Sequence, residues 1–116
     1  MRKVAIGCLA LMLLVAGSAV GQTAYHCDGP VTGVSFDKSG VVSFSGIGGI
    51  NAGLLCQLGN TANGYSPDAC RAAYAQLLLA EMTGQSMRIY FNDNLSCTTQ
   101  PSWSWLTTIY YGPGTI

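Results

Sequence analysis

Residues 54–91 of the chain read LLCQLGNTANGYSPDACRAAYAQLLLAEMTGQSMRIYF, and they predict a strand, a loop, a helix and a further strand. Cys56 lies in the first apolar run, and Cys70 comes just after the helix start signal Ser66-Pro67-Asp68. Helical spacing of apolar side chains continues until Gly84, which is suited to the left-handed cap that ends a helix. A Cys56–Cys70 disulfide would therefore tie a strand to the first turn of the next helix.

The predicted helix covers residues 67–83, with Ser66 as its N-cap. One of its faces is apolar apart from a single acid near the end. By helical spacing this face contains Cys70, Ala73, Tyr74, Leu77, Leu78 and Glu81.

The N-terminal residues have the three-part layout of a secretory signal peptide. Met1-Arg2-Lys3 is basic, residues 4–16 are continuously apolar, and small residues follow. The apolar run is too short for a membrane-spanning helix, which needs about 20 residues. We expect cleavage after Gly21, or alternatively after Ala19, so that residues 1–21 are the signal and residues 22–116 form one domain in a secreted or periplasmic protein.

The expected mature domain carries few charges. Three cations and five acids remain after cleavage, and the cations form no basic stripe. Nucleic-acid binding depends on neutralising phosphates, so this composition argues against it. A surface built mostly from small polar side chains suits extracellular work and contact with neutral or polar ligands such as sugars.

Four cysteines remain in the expected domain, an even number that predicts a disulfide framework in a small exported chain. Three pairings are formally possible, and we favour Cys56–Cys70 together with Cys27–Cys97. A zinc site is the competing interpretation. We do not favour it, because no Cys-x-x-Cys pair exists and His26 is the only histidine. No metal or other cofactor is predicted.

The rest of the pattern predicts a mainly β domain with one α-helix. The Gly-rich residues 45–52 suggest a bent connection, and residues 112–114 a closing turn. The predicted strands are residues 31–36, 41–44, 53–58, 88–91 and 105–111. Five strands with a helix between the third and fourth is the order of a small OB-type Greek-key barrel, here stapled by disulfides.

Part of the chain resembles a known family. Leu55-Cys56, Ala69-Cys70, Leu77-Leu78 and the string Thr83-Gly84-Gln85-Ser86-Met87-Arg88-Ile89-Tyr90 are similar to the B subunits of the subtilase-cytotoxin and typhoid-toxin group, relatives of the pertussis-toxin binding subunits. The resemblance covers roughly residues 53–91. It implies an OB-fold subunit that assembles into a homo-pentamer, binds sialylated host glycans or another receptor, and carries an enzymatic A subunit into a host cell.

Four residues are candidates for ligand binding. Tyr25 belongs to the segment that, by the resemblance, takes the place of the family's glycan pocket near the first strand. Trp103 and Trp105 are two apart, so on a strand their indoles would face the same side and could stack on sugars. Arg88 could bind a carboxylate such as that of sialic acid, or could instead pair with Glu81 or Asp93.

No catalytic residues are predicted. His26 has no recognisable nucleophile or orienting acid, and the chain contains no motif for a triad, a phosphate loop or a metal centre. We therefore expect a non-catalytic binding subunit of the toxin-B type. The alternative is a periplasmic or surface-associated OB domain that contacts another protein and binds no glycan.

Overall fold

The computed structural model describes residues 23–116, so the predicted signal peptide lies outside the described residues. The domain is mainly β with one helix, as predicted from the sequence. In chain order the elements are β1 (Thr23–Thr32), β2 (Ser35–Phe36), β3 (Val41–Ile47), β4 (Ile50–Gln57), α1 (Pro67–Thr83), β5 (Ser86–Asp93), β6 (Ser104–Trp105) and β7 (Ile109–Thr115).

The strands form one sheet in the order β6-β4-β3-β1-β5-β7, with the short β2 attached to β3. Every pairing is antiparallel except that of β4 with β6. Because only residues 106–108 separate β6 from β7, the two ends of the sheet are brought together and the sheet closes into a barrel. Helix α1 lies between the third and fourth long strands, which confirms the predicted OB-type order.

Helix α1 has the bounds that the sequence predicts. The Ser66 hydroxyl accepts a hydrogen bond from the Ala69 N–H at 3.1 Å, and Gly84 ends the helix with φ of 74° while its N–H bonds to the Ala80 carbonyl. The buried side chains are those of Cys70, Ala73, Leu77 and Ala80. Of the predicted face, Tyr74 and Leu78 are half-buried, and Glu81 is exposed.

Both predicted disulfides are present. Cys56–Cys70 joins β4 to the first turn of α1 inside the core, where neither cysteine is exposed. Cys27–Cys97 joins β1 to the segment that follows β5. Two disulfides of this kind indicate an oxidising, non-cytoplasmic compartment.

The first strand differs from the prediction. Residues 31–36 were expected to form it, but β1 begins at Thr23 and ends at Thr32, and only β2 continues the predicted range. β1 pairs with β5 through eight consecutive residue pairs, from Thr23↔Asp93 to Pro30↔Ser86. It contains Gly29 and Pro30, which are uncommon in strands, so its local sequence does not indicate a strand and the pairing with neighbouring strands determines its conformation.

Two turns also differ from the prediction. Residues 45–47 end β3 and residues 50–52 begin β4, so the reversal between the strands is only Gly48-Gly49, with φ of 55° and 96°. Residues 112–114 were expected to close the last strand, but they lie inside β7. Gly112 has φ of 98°, and a Cβ there would lie 2.8 Å from the Arg88 carbonyl oxygen, so close packing on β5 requires glycine at this position.

Candidate binding site

A cavity of about 480 Å³ opens at one end of the β1–β5 pair. Tyr25 and His26 on β1 form one wall, and the residues that follow β5 form the other. The lining residues are Tyr25, His26, Asp93, Asn94, Leu95, Ser96 and Cys97. The cavity therefore combines an aromatic ring and an aliphatic side chain with amide, hydroxyl and imidazole groups.

A buried carboxylate organises the floor of this cavity. Asp93 is 8% exposed, and its Oδ1 accepts hydrogen bonds from the Tyr25 hydroxyl at 2.6 Å and from the Leu95 N–H at 2.8 Å. Its Oδ2 accepts from the Gln100 amide at 2.9 Å and from the Thr108 hydroxyl. Four donors from three parts of the chain thus meet at one carboxylate, which fixes the loop after β5 relative to β1.

The network shifts the ionisation of its members. Burial alone would raise the pKa of Asp93, but the hydrogen bonds from Thr108, Tyr25, Gln100 and the Leu95 N–H outweigh it and hold this pKa below its ordinary value. Burial and the hydrogen bond to the negative Asp93 raise the pKa of Tyr25 to about 12. At neutral pH the carboxylate is therefore ionised and the phenol is a fixed donor.

The raised pKa values of two tyrosines predict that the domain loses stability at alkaline pH. Burial also raises the pKa of Tyr65 to about 12. An unfolded tyrosine ionises near pH 10 while these two remain neutral in the folded domain, so the free energy of unfolding should fall between about pH 10 and about pH 12. Urea titrations across this pH range measure the free energy of unfolding. It should fall less steeply with pH for Tyr25→Phe and for Tyr65→Phe than for the parent.

The control for this prediction is Tyr110→Phe, which changes a ring that is 56% exposed. It should leave the pH dependence unchanged. A parent protein whose free energy of unfolding stays constant from about pH 10 to about pH 12 would contradict the prediction.

Arg88 lies elsewhere, in a separate cavity of about 460 Å³ that also contains Tyr90 and Tyr111. Its guanidinium makes a two-point contact with Asp28 on β1, from Nε to Oδ1 at 2.9 Å and from Nη2 to Oδ2 at 2.8 Å. The prediction that Arg88 pairs with Glu81 or Asp93 is therefore wrong. This ion pair holds the pKa of Asp28 below its usual value. A ligand carboxylate would have to compete with Asp28 for the guanidinium.

Glu81 does not pair with Arg88 but accepts hydrogen bonds from two backbone N–H groups. Its Oε2 accepts a hydrogen bond from the Gly33 N–H at 3.0 Å, and its Oε1 accepts one from the Val34 N–H at 3.1 Å. The end of α1 is thereby tied to the connection between β1 and β2.

The two tryptophans are exposed, but they do not share a strand. Trp103 is 64% exposed and lies in a turn with φ of 54°, while Trp105 is 38% exposed within β6. The prediction that both indoles project from one strand face is therefore wrong. Neither tryptophan lines the cavity beside Tyr25, and neither does Arg88. Of the four predicted ligand-binding residues, only Tyr25 belongs to this site.

The sequence-based interpretation missed Asp93, Leu95 and Gln100. The adjoining Asn94-Leu95-Ser96-Cys97 stretch joins an apolar residue to polar ones beside a disulfide, which is the only local signal for a cavity wall. The sequence suggests Asp93 only as a partner of Arg88, since no local pattern links it to Tyr25, 68 positions away.

The chain matches no protein-family model, and no curated protein or solved structure is significantly similar to it. Among residues 23–116, no three His, Cys, Asp or Glu side chains are grouped so that they could hold a metal ion. Over the same residues, no helix has the length and apolar character needed to cross a membrane.

Proposed function

We propose that the chain is an exported, non-catalytic binding subunit that takes a glycan in the cavity between Tyr25 and Leu95. The observation that carries the proposal is the cavity itself. Its volume of about 480 Å³ lies within the range of about 300–1,000 Å³ typical of small-ligand sites. It is also an open cavity built on a hydrogen-bonded floor, so it needs little reorganisation to accept a ligand.

The lining chemistry matches a sugar, which has both apolar C–H faces and hydroxyl groups. Tyr25 and Leu95 provide apolar surface, and the Leu95 side chain is 45% exposed at the wall. Asn94, Ser96 and His26 provide donors and acceptors around it. Neither lysine nor arginine lines the cavity, so binding of a sialic acid here would depend mainly on hydrogen bonds.

The proposed assembly and compartment come from the sequence. The resemblance to the toxin B subunits supports a homo-pentamer that accompanies an enzymatic A subunit. The basic and apolar N-terminal layout supports export by a signal peptide to the periplasm or outside the cell. The two disulfides agree with this destination.

The experiment combines glycan-array binding with light scattering on the oxidised protein. We expect retention of sialylated or other glycans and a mass of about five subunits. Leu95→Asp should weaken glycan binding at least tenfold, because it removes apolar wall and places a charge in the cavity. The matched control is Leu79→Asp on α1, since Leu79 is 58% exposed and does not line the cavity.

The control should bind glycans as the parent does. A parent protein that retains no glycan, or a Leu95→Asp variant that binds unchanged, would rule out the proposed site. A monomer that still binds glycans would rule out the ring while leaving the site intact.

A second candidate function is favoured by one surface. Tyr90 packs against Tyr110 and Tyr111, with ring centroids 5.9 Å and 5.5 Å away, and both outer rings are more than half exposed. Exposed tyrosine clusters are frequent in protein interfaces. If no glycan binds, this surface on β5 and β7 supports the alternative, an OB domain that contacts another protein.

A further inference from the structure

The two disulfides differ in their access to solvent. Cys56 and Cys70 are both 0% exposed within the core. Cys97 is half-buried and lines the binding cavity, while its partner Cys27 is 1% exposed on β1. A reductant in solution can therefore approach the Cys97 sulfur from the cavity, whereas the other disulfide becomes accessible only when the core opens.

The accessible disulfide also joins the two walls of the cavity. Tyr25 and His26 neighbour Cys27 on β1, and Asn94, Leu95 and Ser96 directly precede Cys97 on the facing segment. The Cys27–Cys97 bond is thus the covalent link between the two lining segments. The Leu95 N–H bond to Asp93 anchors the facing segment at its start, and the Gln100 bond to Asp93 anchors it beyond Cys97.

Between these anchors, apart from the contact of the Cys97 sulfur with the His26 carbonyl oxygen at 3.6 Å, the hydrogen bonds are local. Ser96 bonds to Thr99 through its N–H at 2.7 Å and through its hydroxyl at 3.0 Å, which shapes the turn but does not reach β1. Without the disulfide, residues 94–97 lose their covalent attachment to the opposite wall, so their turn should open more often and expose its N–H groups.

We propose that Cys27–Cys97 is a redox latch on the binding cavity, and that a small dithiol opens it while Cys56–Cys70 stays intact. The effect on ligand binding rests on the proposed function, whereas the selective opening does not. A thiolate of the dithiol attacks the Cys97 sulfur, the Cys27–Cys97 bond breaks, and Cys27 leaves as a thiolate that takes up a proton. The second thiol of the reagent then displaces Cys97, so the protein gains two electrons and the dithiol becomes a disulfide.

The test titrates the folded, oxidised protein with dithiothreitol, alkylates the free thiols and maps them by mass spectrometry. We expect Cys27 and Cys97 to be labelled at a dithiothreitol concentration at least tenfold below that needed for Cys56 and Cys70. Amide exchange at residues 95–99 should rise at that concentration while exchange in α1 stays unchanged. Binding of sialyllactose should weaken at least tenfold and return on reoxidation.

A Cys27→Ala/Cys97→Ala variant should reproduce the reduced state, with circular dichroism to verify that it folds. Should it fail to fold, reduction of the parent provides the same comparison. Reduction of both disulfides together, unchanged exchange at residues 95–99, or a general rise in exchange would overturn the latch. So would unchanged sialyllactose binding after selective reduction. If the oxidised parent binds no sialyllactose, that arm counts against the proposed function, and the labelling and exchange results still decide the latch.

Discussion

Gly48→Ala should lower the free energy of unfolding by about 3 kcal/mol, since it adds backbone strain to a backbone clash. Gly48 has φ of 55°, and a Cβ on it would lie 2.6 Å from both the N and O atoms of Asp28. The approach is mutual, because a Cβ on Gly29 would lie 2.7 Å from the Gly48 nitrogen. The turn between β3 and β4 therefore fits against β1 only without side chains.

Two matched glycine variants separate the causes in urea titrations. Gly64 has φ of 79° with nothing within 4 Å of an added Cβ. Gly64→Ala should therefore lower the free energy of unfolding only through backbone strain, by about 1 kcal/mol. Gly59 has the same open space without a positive φ, so Gly59→Ala should be close to neutral. Equal losses for Gly48→Ala and Gly64→Ala would show that the close approach to Asp28 has no energetic effect.

Asp93→Ala should also destabilise the domain by about 3 kcal/mol, because it leaves one buried and three partly buried donors without their acceptor. Tyr25, Gln100, Thr108 and the Leu95 N–H all donate to this carboxylate. Asp93→Asn preserves the shape but presents an amide to donors, so we expect a smaller loss. Combining Asp93→Ala with Tyr25→Phe should give less than the sum of the single losses, because the two residues share one hydrogen bond.

The control carboxylate is Asp37 in the turn before β3. It accepts hydrogen bonds from the Ser39 and Val41 N–H groups at 2.8 and 3.0 Å, but it is exposed. Water can replace it, so Asp37→Ala should cost about 1 kcal/mol or less in the same titrations. A loss for Asp93→Ala no larger than this would mean that burial adds nothing to the network.

The sequence was most informative where structure depends on neighbours along the chain. Ser66, Pro67 and Gly84 act within one helical turn of themselves, so the bounds of α1 were predictable. Cys56 and Cys70 are 14 positions apart and flank the same loop, which made their pairing accessible. Strand β1 could not be found in this way, because its conformation comes from pairing with β5, some 60 positions later.

The candidate site was harder to predict for the same reason. Tyr25 is a candidate because the resemblance places its segment at the family's glycan pocket. Its partners Asp93 and Gln100 are distant from it in the sequence and come together only in the folded domain. Arg88 pairs with Asp28 because β1 and β5 are in a register that places these residues opposite each other. No local pattern contains that register.

The barrel is closed by a short strand pairing between β4 and β6. β4 and β6 contribute only the pairs Gly53↔Ser104 and Leu54↔Trp105, compared with eight pairs between β1 and β5. Trp103, just before β6, adds an N–H bond to the Ala52 carbonyl at 2.8 Å.

Of the two tryptophans of the chain, Trp105 belongs to this closure and Trp103 directly precedes it, and neither is buried in the core. The tryptophan emission of the protein should therefore report on the joining of β4 to β6 rather than on the core. In one unfolding experiment, tryptophan fluorescence would follow the separation of β4 from β6, and far-ultraviolet circular dichroism would follow the loss of secondary structure.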